Sequence, residues 1–449
     1  MSGATKSEVM VGENGQGTQS NQFFCRRRYV RLGILVTIVC LLVILGLVIG
    51  FSILPHNSIS DDNGITDNQT TRDNNSYHSS TAISTTVLSR KVISNIKETE
   101  TLPQNQSILE SSCLNMHRDE FPVITIENGE LLVCGGRVLY GGRTPEGPFC
   151  EIYSSLNREW RKFPDMNVGR SGLTLTLLSD NRSILAIGSE NKYDAYTAEI
   201  YDRDMNKWFF VPNIMNIGRM DHTATLMKNG QVLIVGGMAP DAYSVLSSTE
   251  LYIPSSNTFV MKGNLKTPLY RHTAILLTDG LSVLIIGGSV RATLFTQPQI
   301  YKAGVWHYTL HDMIMRRRYC AAVLLFNGNV LIAGGVDSKS NTLSSVEIFQ
   351  PDTETFSPVE RMTCARSDFT LTRLPTGQVL AVGGQNSLDD ECLRVTELYD
   401  PITNQWQSTR QLNKARYDHK AVLINNSVLI LGGETTDNNY EFTCERYDL

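Results

Sequence analysis

The chain has 449 residues, with 40 lysines and arginines against 45 aspartates and glutamates, 41% hydrophobic residues and a net charge of −5. That length suffices for more than one structural unit, and the mild acidity argues against nucleic acid as the main partner. The average conceals unlike stretches, which follow in chain order.

Residues 1–31 are polar, with Lys6, Arg26, Arg27, Arg28 and Arg31 outweighing Glu8 and Glu13. They read as a cytoplasmic tail. Residues 32–54, from Leu32 to Leu54, hold no charged side chain over 23 positions. As a helix rising about 1.5 Å per residue, this stretch spans the roughly 30 Å hydrocarbon core of a bilayer. A transmembrane helix fits it better than a cleaved signal peptide, because the apolar run is long and lacks a small-residue cleavage pattern. The arginines precede it while His56, Asp61 and Asp62 follow it. The positive-inside rule then predicts a single-pass type II protein in the cell membrane or another secretory-pathway membrane, with the remainder extracellular or lumenal. Cys25, beside the arginines, is either a palmitoylation candidate or a plain thiol.

Residues 55–103 are rich in Ser, Thr, Asn and Asp, with few large apolar groups. Burial there cannot offset ordering entropy, so a disordered stalk is predicted, averaging roughly 40 Å end to end. Asn68 and Asn74 are N-glycosylation candidates consistent with an extracellular stalk.

From residue 104 to 449 one unit recurs. A glycine doublet, or its degenerate form, begins at Gly135, Gly188, Gly236, Gly287, Gly334, Gly383 and Gly432, in steps of 53, 48, 51, 47, 49 and 49 residues. A second ruler agrees: Tyr153 to Trp160, Tyr201 to Trp208, Tyr252 to Phe259, Phe349 to Phe356 and Tyr399 to Trp406 are each seven apart, with Tyr301 to Trp306 shortened to five. All four tryptophans occupy this one position. A double glycine at a period of about 50 residues is the kelch spacing.

On these motifs, residues from about Arg118 to Leu449 resemble kelch repeats, of the subtype found in the central domain of galactose oxidase. The resemblance implies a β-propeller of four-stranded blades. Hydrophobic patterning supports it independently. The runs before the doublets, such as Val232–Val235 and Val330–Ala333, are continuously apolar, as in strands covered on both faces. Segments such as Thr249–Tyr252 alternate, as half-buried strands do. The expected fold class is therefore all-β: a seven-bladed kelch β-propeller preceded by one transmembrane α-helix and a disordered stalk.

The last repeat reaches Leu449 before its outer strand, which leaves an open edge. The segment from about Gln104 to Ser112 is expected to supply that strand from the other end of the chain. A Cys113–Cys444 disulfide is predicted across this closure, with Cys134–Cys150 and Cys364–Cys392 as further candidate pairs and Cys320 as a buried free thiol. Spacing alone does not fix the connectivity. The acceptors Asn105, Asn181 and Asn425 fall on the face of the short turns between first and second strands. That leaves the opposite face clear for a partner, with its loops near 137–149, 189–197, 238–248, 289–298, 336–345, 385–395 and 434–443.

Arg118, Arg170, Arg219, Arg317, Arg366 and Arg416 stand where the first strands begin, with Arg271 displaced by two; Asp221, Asp368 and Asp418 follow three of them. One reading is a charged mouth that takes an acidic peptide or a glycan through forked guanidinium donors. The other is an Arg and Asp network that holds blades together. Glu151, Glu199, Glu250, Glu347, Glu397 and Glu445 lie in third strands and read as structural. His222, His272 and His419 share one strand position, a weak metal pattern that reads as packing within the sheet.

The resemblance also raises oxidase chemistry, which in that family uses two Tyr and two His copper ligands, one Tyr being cross-linked to Cys. Tyr77-His78 lies in the stalk and His307-Tyr308 has the reverse order. No copper ligand carries over residue by residue, and no Ser/His/Asp, phosphate-loop or paired-carboxylate pattern stands out. The sequence reads as a non-catalytic cell-surface binding or adhesion protein without a cofactor, whose partner is an extracellular protein or glycan. The alternative is a carbohydrate-active enzyme or a galactose oxidase-like copper oxidase.

Overall fold

Each repeat forms a four-stranded antiparallel sheet, and seven such sheets make the blades of a β-propeller. The computed structural model describes residues 109–111, 113–126, 129–138, 146–290, 297–386, 394–435 and 443–449. Blade three shows the pattern: Thr223–Leu226, Val232–Val235, Thr249–Ile253 and Thr258–Lys262 pair in that order from the centre outward. Its second strand is buried at all four residues, as are Leu131–Cys134, Ile184–Ile187, Val330–Ala333 and Val379–Val382 in other blades.

No blade covers its own faces. Every apolar cluster is shared by two neighbours: Leu132, Ile152 and Met166 of blade one meet Leu175, Ile184 and Trp208 of blade two, and Leu380 and Leu412 of blade six meet Val428 and Tyr447 of blade seven. The innermost strands follow one another in cyclic order, with Val123–Thr125 beside both Thr174–Leu177 and Lys420–Ile424. The seven-residue ruler has a direct meaning, because Tyr201 faces Trp208 and Tyr399 faces Trp406 across third and fourth strands. Their ring centroids lie 5.5 and 5.0 Å apart. Tryptophan suits the place because its N–H finds an acceptor in what precedes the blade: Trp208 Nε1 donates to Pro164 O at 2.8 Å and Trp406 Nε1 to Glu360 O at 2.9 Å in linkers, and Trp306 Nε1 to Thr249 Oγ1 at 3.0 Å in the neighbouring blade.

The first glycine of the doublet meets the segment entering the next blade, and the second meets the segment entering its own. Gly236 and Gly237 have φ of 58° and 95°. A Cβ on them would stand 2.4 Å from Leu269 O and 2.5 Å from Met220 O. Only glycine combines that conformation with that approach.

Blade seven closes with Leu109–Ser111, which runs antiparallel to Cys444–Asp448 in the register Leu109↔Arg446, Glu110↔Glu445, Ser111↔Cys444. The expected closing strand is thus present at 109–111, while 104–108 and 112 lie outside the described residues. The predicted Cys113–Cys444 bridge is corrected: both are thiols. Ser111, not Cys113, stands opposite Cys444, and Cys113 packs against the apolar cluster that contains Cys444. Cys134 and Cys150, directly paired across second and third strands, do form a disulfide. Cys364 is a thiol, and Cys392 lies outside the described residues. Cys320 is a half-buried thiol that burial pushes up to about 11.

The tail 1–31 with Cys25, the apolar segment 32–54, the stalk 55–103, Asn68, Asn74 and Asn105 also lie outside the described residues. Among those described, no helix is long and apolar enough to cross a membrane. Asn181 and Asn425 are exposed, in turns between first and second strands.

Candidate functional site

The repeated arginines do not face a ligand. Arg118, Arg170, Arg219, Arg317, Arg366 and Arg416 turn into the blades with no side-chain exposure. Each pairs with the third-strand glutamate of its own blade, from 2.5 Å for Arg366–Glu397 to 3.1 Å for Arg170–Glu199. The same guanidinium donates to the first glycine carbonyl of the doublet, Arg219 to Gly236 O and Arg366 to Gly383 O, both at 2.8 Å. The glutamate in turn accepts linker N–H groups, Asn216 N at 2.8 Å and Ile217 N at 3.1 Å in the case of Glu250. Each pair ties an entering linker to its blade. The arginines are therefore not the mouth, and the partner that holds them is glutamate rather than aspartate.

Two residues after each such position the chain adopts a left-handed conformation: Glu120, Gly172, Asp221, Arg271, Tyr319, Asp368 and Asp418 have φ between 50° and 60°. Asn, Asp and Gly tolerate that region best, which suits the three aspartates. The turn links these residues from blade to blade. Asp221 N donates to Gly172 O, Arg271 N to Asp221 O, Asp368 N to Tyr319 O and Asp418 N to Asp368 O, at 2.9 to 3.1 Å. The result is a ring at the entrance to the central channel, on the face where the loops after the doublets lie. Those loops touch it directly, since Met238, Val336, Gln385 and Glu434 bridge to the residues just before the ring positions.

Four carboxylates and one guanidinium dominate this ring. Arg271 Nε reaches Asp221 Oδ2 at 3.0 Å, and its Nη2 reaches Glu120 Oε1 of blade one at 3.1 Å. Arg137 binds the same Glu120 oxygen at 2.6 Å. Gln385 Nε2 donates to Asp368 Oδ2 at 2.6 Å. Asp221, with Glu120 and Asp418, holds the Arg271 pKa above its ordinary value. Burial raises Glu120 to about 7 against the pull of Arg137, and burial together with Asp418 raises Asp368 to about 6. Asp221, Arg271, Asp368 and Asp418, singled out in the sequence, thus meet here. Glu120 and Tyr319 were missed, and their signal was position within the repeat rather than residue type.

One residue further on, Phe121, Leu173, His222, His272, Cys320, Phe369 and His419 fill one equivalent place. The histidines are packing residues that join innermost strands, with Nε2 within 3.0 Å of Thr174, 2.8 Å of Thr223 and 3.0 Å of Thr370. Pro122, Thr174, His222, Thr223 and Ala274 line a cavity of ≈ 240 Å³ along the inner wall. Burial holds all three imidazoles neutral, with His272 pushed down to about 4 and His419, also repelled by Arg416, to about 3.

These shifts set a pH dependence. Below the ordinary histidine value the unfolded chain binds the extra protons, so each histidine removes about 1.4 kcal/mol of stability per pH unit down to its folded pKa. Glu120 and Asp368 act oppositely: their folded pKa is raised, so their contribution is full at low pH and lost as pH rises through 6 to 7. Three histidines outweigh two carboxylates below neutrality. Urea unfolding free energy is expected to fall from about pH 6.5 to pH 5, and His272→Gln with His419→Gln to flatten that fall. An unchanged slope in the double variant would remove the histidines from the account.

A kelch-motif family model matches residues 317–363 and 375–413. Spermatocyte protein spe-26 of Caenorhabditis elegans is 24% identical over 268 residues, covering 58% of this chain and 46% of that protein. Kelch-like protein 38 of Homo sapiens is 22% identical over 302 residues, covering 64% and 49%. Beta-scruin of Limulus polyphemus is 24% identical over 237 residues, covering 49% and 25%. The chain spans about half the length of the first two relatives and a quarter of the third. Among solved structures, a fungal alcohol oxidase of the AA5 family in complex with copper superposes with a TM-score of 0.58 at 16% identity, over 76% of each chain. That likeness is one of fold. Among the described residues no three His, Cys, Asp or Glu side chains are grouped so that they could hold a metal ion. The chain carries kelch repeats on a seven-bladed propeller.

Proposed function

We propose that this kelch propeller is a non-catalytic binding module, displayed on the far side of a membrane by the apolar segment 32–54, and that it engages a protein partner through the loops around the channel mouth. Kelch propellers generally bind proteins, which supports the reading. The observation that carries it is internal to the chain. The buried arginine and its glutamate are repeated in six blades, whereas the ring two residues away reads Glu, Gly, Asp, Arg, Tyr, Asp, Asp. Uniform positions hold the frame, and non-uniform positions on a rigid frame are free to discriminate.

The sign of the mouth bears on the partner. With Glu120, Asp221, Asp368 and Asp418 in the ring and Asp119 beside it, against Arg271 and Arg137, carboxylates outnumber guanidiniums, and a cationic segment is favoured over the acidic peptide or glycan expected from the arginine run. Proximity labelling with the full chain on cells identifies the partner. Asp221→Asn with Asp368→Asn and Asp418→Asn is expected to weaken its capture by about tenfold or more, while Asn181→Gln and Asn425→Gln on the opposite face leave it unchanged. Capture lost only on the opposite face would overturn the assignment.

A further inference from the structure

Arg271 does more than join the ring. Its side chain leaves blade four, meets Asp221 of blade three at 3.0 Å and ends on Glu120 of blade one at 3.1 Å. The innermost strands follow one another in cyclic order, so blades four and one are separated by two blades on one side and three on the other. A contact between them therefore crosses the channel mouth rather than following its edge. Both ends of the crossing are left-handed, with φ of 50° at Glu120 and 51° at Arg271, a region that suits Asn, Asp and Gly rather than either of these residues. The chain bears that backbone strain where two long side chains reach inward from opposite walls. Just below, Pro122 and Ala274 continue the same two walls along the cavity of ≈ 240 Å³.

The crossing is the contact that depends on Glu120 alone. Glu120 Oε1 receives Arg137 Nη2 at 2.6 Å as well as Arg271 Nη2 at 3.1 Å. Arg137 has a second carboxylate, Asp119, on its own blade, and Arg271 has Asp221 on the neighbouring one. With Glu120 uncharged, each guanidinium keeps a carboxylate on its own side. The contact given up is the one that spans the mouth, because the Coulomb attraction that drew Arg271 across is gone. Burial pushes the Glu120 carboxyl up to about 7 against the pull of Arg137 and Arg271, with Asp221 and Asp119 adding to the rise. Glu190 of blade two acts on Arg137, and Asp368 and Asp418 act on Arg271 from blades six and seven, so both guanidiniums stay charged throughout. Tyr319 of blade five, whose phenol burial raises, stays neutral.

We propose that Arg271 is a strap across the channel mouth, fastened to Glu120 while that carboxylate is charged and folded back onto Asp221 once it takes a proton, so that acid uncovers the channel. The sign follows from the raised value: Glu120 is charged at pH 8, binds its proton as pH falls through about 7 and is largely neutral at pH 6. The strap belongs to the propeller itself and stands independently of which partner the mouth takes.

The test uses the full chain in phosphatidylcholine nanodiscs at pH 8 and pH 6. Phenylglyoxal labels accessible guanidiniums, and mass spectrometry gives the labelling rate of Arg271 relative to Arg361, an exposed linker residue, which cancels the reagent's own pH dependence. That ratio is expected to rise about fivefold from pH 8 to pH 6. Glu120→Gln, which imitates the protonated carboxyl, should show the high ratio at both. A urea double-mutant cycle of Glu120→Gln and Arg271→Gln should give a coupling of about fivefold in the unfolding constant at pH 8 and close to none at pH 6. The same unfolding curves verify that the variants fold, and the wild-type ratio decides alone where Glu120→Gln does not. A ratio indifferent to pH, a pH response that persists in Glu120→Gln, or a coupling equal at both pH values would overturn the proposal.

Discussion

Arg219→Leu is expected to lower the unfolding free energy by about 3–5 kcal/mol, because it leaves the fully buried Glu250 without its counter-charge. The carbonyls of Gly236 and Ser248 lose their donor at the same time. Glu250→Gln alone strands the guanidinium instead and should also be costly. The informative variant combines them. Blade four carries that arrangement naturally, with Leu269 in the arginine's place and Gln299 in the glutamate's. There Gln299 Oε1 accepts Lys266 N at 2.6 Å and its Nε2 donates to Thr267 O at 3.3 Å, so a neutral pair can hold the linker. Arg219→Leu with Glu250→Gln should therefore recover much of the loss, giving a coupling of about 2 kcal/mol or more in a urea double-mutant cycle. Additive losses would mean that the charged pair is not the unit.

That blade also shows what could be read from the chain beforehand. Arginine and glutamate recur 29 to 33 residues apart in six repeats, and both are missing from the fourth. Joint loss at Leu269 and Gln299 is the signature of a pair, legible without coordinates. The blade count and the closing strand were legible because glycine doublets and strand-four aromatics report close approach and burial, which sequence records directly. The sign of the mouth was not. Whether a charge near a strand entrance points inward or outward depends on a left-handed residue two places on, and Glu120, Arg271 and Tyr319 give no compositional sign of that conformation. The Cys113–Cys444 pairing missed for a related reason: a two-residue offset in register decides which side chain faces Cys444, and apolar pattern fixes register only where one face is buried.

Replacing Leu109-Glu110-Ser111 by Pro-Gly-Pro is expected to open the ring. Three ladder positions against Cys444, Glu445 and Arg446 are lost, worth on the order of 3 kcal/mol at about 1 kcal/mol net per bond. Burial adds to this, because Cys444 and Glu445 are almost wholly enclosed and Glu445 supports Arg416 at 2.7 Å. An unpaired edge would then stand beside the cluster that joins blades seven and one, where Phe121, Val133, Tyr153 and Leu429 meet. Hydrogen exchange should therefore quicken first in Cys444–Asp448 and Val123–Thr125, with blades three and four following later, and the single unfolding transition should broaden. Protection lost evenly around all seven blades would instead mean that the disc opens as one cooperative body, with no privileged seam. An unaltered transition would mean that the shared apolar clusters close the ring without the strand.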